Sequence, residues 1–139
     1  MAEKQHAPLL DEAPSAPDGL RVIESNGRGR GLVAARAFRR GEVIERAPVI
    51  VVARKLLQTQ RGSVLDDYWF WWDDEHNAFA LGWAALYNHA CPANTRFRVE
   101  RAVRLIVFEA AADIEAGDEV TINYHGEPDD PSPVWFPAR

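Results

Sequence analysis

At 139 residues, 47% hydrophobic and 27% charged, the chain has the length of one domain and enough apolar residues for a real core. Its formal charge of -5 and pI near 5.3 disfavour direct nucleic-acid binding and favour basic partners such as a lysine-rich protein tail. One cysteine excludes an intrachain disulfide and a zinc site built from several thiolates; with no signal peptide and no apolar run long enough for a bilayer, the expectation is a cytoplasmic, intracellular protein away from the membrane.

Residues 1–18 hold Pro8, Pro14 and Pro17 among alanines and acids without helical or strand period, which reads as a flexible leader. From Leu20 onward, short β-type runs recur between turn signals, at 20–23, 32–35, 42–44, 49–52, 68–72, 78–81, 95–100, 103–109 and 119–124. Only 53–60 and 82–87 look helical, so a mostly β domain over 19–126 is predicted. Alternation in 95–100 turns Phe97 and Val99 inward, with 103–108 close enough to complete a hairpin. A weak echo links 38–44 to 114–120: each has an apolar residue, a glycine turn, then a strand. After Tyr124 three prolines forbid a central strand, yet Trp135 and Phe136 follow, two aromatics costly to leave in water. The tail 127–139 is therefore predicted to fold back over the domain.

Several stretches could carry chemistry. Asn26-Gly27-Arg28-Gly29-Arg30-Gly31 allows close backbone approach to a ligand, or is simply a flexible hairpin; it lacks the Gly-Lys-Ser/Thr ending of a phosphate loop. Leu86-Tyr87-Asn88-His89-Ala90-Cys91-Pro92-Ala93-Asn94 sets polar groups among apolar neighbours, which asks for an internal hydrogen-bonded knot, a ligand, or both. His89 and Cys91 could form a nucleophile and base, but no orienting acid is near in sequence, and a small buried cysteine beside a structural imidazole is the simpler reading. His6, His76, His89 and His125 show no ligand spacing, so no metal is assigned. Asp66, Asp67, Asp73, Asp74 and Glu75 flank the aromatic run 68–72; they either grip a basic peptide or are solvated turns beside core rings. Tyr124 ends the strand 119–124, where a tyrosine is most often structural.

Taken in order, the glycine loop, the Asn-His-x-Cys segment and the final strand resemble the SET domain. Gly29-Arg30-Gly31-Leu32 is similar to its Gly-x-Gly motif, Tyr87 to Asn94 to its Asn-His-Ser-Cys-x-Pro-Asn motif, and Glu119-Val120-Thr121-Ile122-Asn123-Tyr124 to its Glu-Leu-Thr-Phe-Asp-Tyr motif. The resemblance covers roughly Gly19 to Gly126. It implies small curved β-sheets with short helices and a knot-like C-terminal threading where the last two motifs meet, and protein-lysine methyl transfer from S-adenosyl-L-methionine to a histone or other basic protein. It also implies that Tyr124 aims the amine and lines the transfer pore, with Tyr87 bordering it; that Arg28, Gly29, Arg30, Gly31 and Leu32 hold the cofactor's amino-acid end; that Asn88 and His89 hold its amino group and adenine side; and that Trp135 stacks on adenine. Ala90 replaces serine, the proline comes one place early, and Asn123 replaces aspartate. No cysteine cluster follows Tyr124, so Trp135 and Phe136 are the candidate lid; with no zinc-rich region before the domain either, the chain resembles the minimal SET proteins of bacteria and viruses. The alternatives are a catalytically weak SET-like module that binds basic peptides and a Cys91-dependent hydrolase; homodimerisation is left open.

Overall fold

The computed structural model of the chain describes residues 18–25, 29–60 and 62–133. Its strands are β1 (Leu20–Ser25), β2 (Gly29–Ala34), β3 (Val43–Ala53), β4 (Trp69–Trp71), β5 (His76–Ala80), β6 (Asn88–His89), β7 (Thr95–Glu100), β8 (Leu105–Ala110) and β9 (Thr121–Ile122). They form a five-stranded sheet in the order β4-β5-β3-β8-β7, a β1-β2 hairpin, and a parallel β6-β9 pair. The predicted mostly β architecture of small sheets is what the structure shows.

The centre of the large sheet is β3. Two short runs were expected around Pro48, but the structure has one strand that changes partner there: Val43 to Pro48 pairs with β8, and Val49 to Ala53 with β5. A residue without a backbone N–H is tolerated at such a handover, and the Pro48 carbonyl still accepts the Leu81 N–H at 2.8 Å. Both stretches read as helical become 3-10 turns, Arg54–Gln60 and Ala84–Leu86. They are too short to offset the cost of nucleating an α-helix.

The 38–44 and 114–120 echo acquires a structural use. Phe38 and Ile114 exchange backbone hydrogen bonds at 2.9 and 2.8 Å, and Gly41 and Gly117 take φ of +87° and +94° in the adjoining turns. The N-terminal hairpin is thereby stitched to the C-terminal motif, with Val120 N–H donating to Leu32 O and Ala34 N–H to Asp118 O, both at 2.8 Å. Leu32, Phe38, Ile106, Phe108, Ile114, Val120 and Ile122 form the core between the sheets. Phe97 and Val99 pack against it while Arg96 and Arg98 stay outside, as the alternation predicted. Among the described residues no helix is long and apolar enough to cross a membrane.

The final strand is shorter than predicted, two residues instead of six, and the reason is local. On one side β9 pairs with β6 through Asn88↔Thr121 and His89↔Ile122. On the other, a side chain replaces a strand: Asn94 Nδ2 donates to Glu119 O at 2.8 Å and its Oδ1 accepts Thr121 N–H at 2.9 Å. These two bonds occupy groups that a ladder would otherwise use.

Candidate active site

The polar groups of 86–94 find most of their partners in 119–130. Besides the Asn94 clamp, Ala90 N–H donates to Ile122 O at 3.0 Å and Ala93 N–H to Pro128 O at 2.8 Å. Asn123, fully buried where the motif it resembles has aspartate, donates through Nδ2 to Asp130 O at 2.8 Å, and its Oδ1 accepts His125 N–H at 2.9 Å. An amide suits this place because it must both donate and accept. Cys91 departs from expectation. It is exposed, not buried, with Sγ–H directed at Asp130 O at 3.2 Å, because the bend at Pro92 lies on the surface.

Asn88 is the meeting point of all three motifs. Its Nδ2 donates to Glu119 Oε1 at 2.8 Å and to Arg30 O at 3.3 Å, so the amide hydrogens are committed within the protein. What it can present to a ligand is an acceptor, Oδ1, suited to an ammonium group. Gly29, on the adjoining strand, has φ +72°, a conformation that side-chain-bearing residues adopt at a cost, and a methyl group there would meet nothing within 4 Å. Backbone of the glycine strand is thus open to close approach. Gly31 and Leu32 are buried, the latter as core. Arg28, Trp135 and Phe136 lie outside the described residues.

His89 is half-buried, and its Nδ1 accepts the Tyr124 backbone N–H at 3.1 Å. That bond leaves the ring hydrogen on Nε2. Burial, then the neighbouring His125, pushes the imidazole below its ordinary pKa and keeps it neutral, as the Nδ1 acceptor role requires. The His89 and Tyr124 rings lie 5.2 Å apart, and those of His89 and His125 6.4 Å. His89 is therefore tied first of all to the backbone of Tyr124.

Tyr124 stands in the wall of a cleft of about 360 Å³. Asp67 and 68–71 line it too, together with the apolar Ala84, Phe97, Val99 and Ile122. The aromatic run divides between its two readings: Trp72 is core and Phe70 packs edge-on to Phe97 at 5.2 Å, whereas Tyr68 and Trp71 are exposed. The acids divide as well. Asp73 builds a turn with Glu75 N–H and His76 Nδ1, each at 2.8 Å, while Asp67 reaches the cleft. A larger groove of about 630 Å³ lies beyond Trp69, between Arg54 and His76, and contains no residue of the three motifs.

The Tyr124 hydroxyl donates to the Tyr87 backbone oxygen at 3.0 Å. Its single hydrogen is committed, so toward the cleft its oxygen acts as an acceptor. Tyr87 also lines the cleft, but its phenol does not serve it. The ring is 2% exposed and stacked on Phe108 at 4.5 Å, and its O–H donates to Glu45 Oε1 at 2.9 Å. Burial, together with the Glu45 charge, raises that phenol well above its ordinary pKa. What Tyr87 offers the site is a backbone carbonyl.

Glu45 escaped the sequence reading. It shares a face with Ala47 on β3, but a bulge between Val43 and Glu45 makes Ile44 and Glu45 consecutive buried residues, so a period-two count along the strand gives no signal of it. It is 1% exposed, and its Oε2 accepts Trp83 N–H at 3.1 Å. Gly82, at φ +69°, sits so close that an added Cβ would meet Glu45 Oε2 at 2.6 Å. Because that carboxylate is held at both oxygens it cannot swing away; Gly82→Ala should therefore destabilise the fold by about 2–3 kcal/mol, read from chemical denaturation.

Burial raises the Glu45 carboxyl pKa above 4.5, against the smaller opposing pull of the Tyr87 and Trp83 hydrogen bonds. Folding thus favours its protonated form. The stability it contributes is fully present below the ordinary carboxyl value and is lost as pH rises through the raised one. The melting temperature of the parent minus that of Glu45→Gln should accordingly fall as pH rises above the ordinary carboxyl value. A difference that is flat or rises with pH would contradict this.

Among the described residues no group of three or more His, Cys, Asp and Glu side chains could hold a metal. A family model for the SET domain matches residues 29–125. Over 119 residues the chain is 24% identical to the Schizosaccharomyces pombe protein named "Histone-lysine N-methyltransferase, H3 lysine-37 specific", covering 84% of this chain and 76% of that one. The fold also matches the crystal structure of a Plasmodium falciparum protein assigned as a candidate histone methyltransferase, with a TM-score of 0.62 and 21% identity over 76% of this chain and 92% of the other. The glycine strand, the Asn-His segment and the strand that leads to Tyr124 all fall inside the matched region, and the protein belongs to the SET domain family.

Proposed function

We propose that the chain is a protein-lysine N-methyltransferase that takes its methyl group from S-adenosyl-L-methionine and acts on a basic protein such as a histone. The observation that carries this reading is Tyr124: its hydroxyl is fixed on the Tyr87 carbonyl and its backbone on His89, in the wall of an aromatic cleft with an acid at its edge. The names of the Schizosaccharomyces and Plasmodium relatives support the same reading.

When bound, the cofactor supplies a sulfonium methyl group. The donor set suits it: the glycine-strand backbone and Asn88 Oδ1 face groups of the kind an α-amino acid carries, and Arg28, Gly29, Arg30, Gly31, Leu32, Asn88 and His89 would hold it, with Trp135 against the adenine. The apolar, aromatic cleft accepts the aliphatic stem of a lysine, and Asp67 attracts the ammonium to its mouth. Deeper in, desolvation disfavours the ammonium and promotes the neutral amine that transfer requires. The Tyr124 oxygen, limited to accepting, takes an amine N–H and so directs the nitrogen lone pair along the transfer axis.

Two departures favour a binding-only module, the early proline and Asn123; of these Asn123 is used in packing the C-terminal segment, through Asp130 O and His125 N–H. Calorimetry with S-adenosyl-L-methionine, followed by tritium-methyl transfer to histones and to a cell lysate, tests the proposal. Cofactor binding with labelled lysine supports it. An absence of both heat and thermal shift at millimolar cofactor would sink it, and binding without transfer would favour the peptide-binding module.

A further inference from the structure

We propose that Glu45 is a positioning residue for methyl transfer: through the Tyr87 phenol it fixes the backbone carbonyl on which the Tyr124 hydroxyl is aimed. The inference rests on the methyltransferase reading above.

Three observations support it. Glu45 sits on the central strand, 1% exposed, in a place where an apolar side chain of similar size would avoid the cost of burying a carboxylate. Its two oxygens grip the two ends of one turn, Trp83 through the backbone N–H and Tyr87 through the phenol. That turn ends in the carbonyl that receives the Tyr124 hydroxyl at 3.0 Å. A carbonyl's direction follows the backbone dihedrals on either side of it. On its C-terminal side these are held by the Asn88↔Thr121 pairing. On its N-terminal side they are held by the Tyr87 ring, clamped between the Phe108 stack and Glu45. Loss of the Glu45 contact lets the ring and its carbonyl rotate together, and the Tyr124 oxygen loses its fixed direction.

The chain has three tyrosines, Tyr68, Tyr87 and Tyr124, so a tyrosine-ring carbon label gives three NMR lines, with exposed Tyr68 as internal reference. Glu45→Leu and the gentler Tyr87→Phe should each shift the Tyr124 line and leave that of Tyr68 in place. Glu45→Gln should nearly restore it, since an amide can accept from Trp83 N–H and donate to the Tyr87 oxygen. In turnover, Glu45→Leu and Tyr87→Phe should lower kcat about tenfold with cofactor affinity within about twofold, while Glu45→Gln stays within about threefold of the parent. In a Tyr124→Phe background, Glu45→Leu should cost less than about twofold, because the group it orients is gone. An unmoved Tyr124 line, or equal kcat losses in both backgrounds, would overturn the proposal. A parent without transfer activity counts against the methyltransferase reading alone, and the Tyr124 line then decides the Glu45 inference.

Discussion

Tyr124→Phe is expected to abolish most methyl transfer, lowering kcat by about 10²-fold, while leaving affinity for S-adenosyl-L-methionine within about twofold. The substitution deletes one oxygen and keeps the ring, so the cleft wall and the packing beside His89 are unchanged. The backbone N–H to His89 Nδ1 bond also survives. What is lost is the hydroxyl that, in the proposed mechanism, accepts from the amine, along with its bond to the Tyr87 carbonyl. The effect should therefore appear in kcat and not in cofactor binding, the pattern of a group that acts on the geometry of the transition state. Single-turnover transfer and calorimetry on the same preparation separate the two, and equal turnover by mutant and parent would remove Tyr124 from the mechanism.

Asn94→Ala should be among the most destabilising single changes outside the hydrophobic core, at about 3 kcal/mol and a melting-temperature drop of roughly 10 °C. The alanine leaves Glu119 O and Thr121 N–H without the side chain that stands in for a neighbouring strand, and Thr95 Oγ1 without its acceptor at 3.2 Å. Thr121 is buried, so water cannot fully replace the lost bond. Asn94→Asp should fall between the two: Oδ1 can still accept from Thr121, but a second carboxylate oxygen then faces the Glu119 carbonyl. Cys91→Ala, three residues earlier, is the control. The thiol is exposed and a weak donor, so a change within about 0.5 kcal/mol is expected, with transfer activity intact. Inactivation by that substitution would revive the hydrolase alternative; a stability loss at Asn94 under about 1 kcal/mol would show that the clamp is dispensable.

The contrast between Asn94 and Glu45 shows what could be read in advance. Asn94 lies in a run of polar groups among apolar ones, and the demand that they be satisfied points to an internal knot or a ligand, though not to the strand that Asn94 clamps. Glu45 sits in Ile44-Glu45-Arg46, where a charged pair on a strand looks solvated. Its burial follows from partners 38 and 42 residues away, a separation no local pattern encodes. The same limit explains Tyr87. The motif placed it beside the pore, but the direction of its phenol depended on a carboxylate on another strand.

By itself the sequence determined the β character, the hairpin of 95–110 with Phe97 and Val99 inward, and the ordered motifs that mark the family, because alternation, turn glycines and short motifs are local properties of the chain. The tertiary structure alone decided that β3 runs unbroken through Pro48 and that the final strand contracts to two residues beside an asparagine side chain. It also decided how the polar groups of the motifs are turned: the Tyr87 hydroxyl toward Glu45 and its carbonyl toward the Tyr124 hydroxyl, and the His89 ring toward the Tyr124 backbone. Each of these depends on hydrogen-bond partners brought together from distant segments, and the bonding that the packed chain completes fixes their orientation.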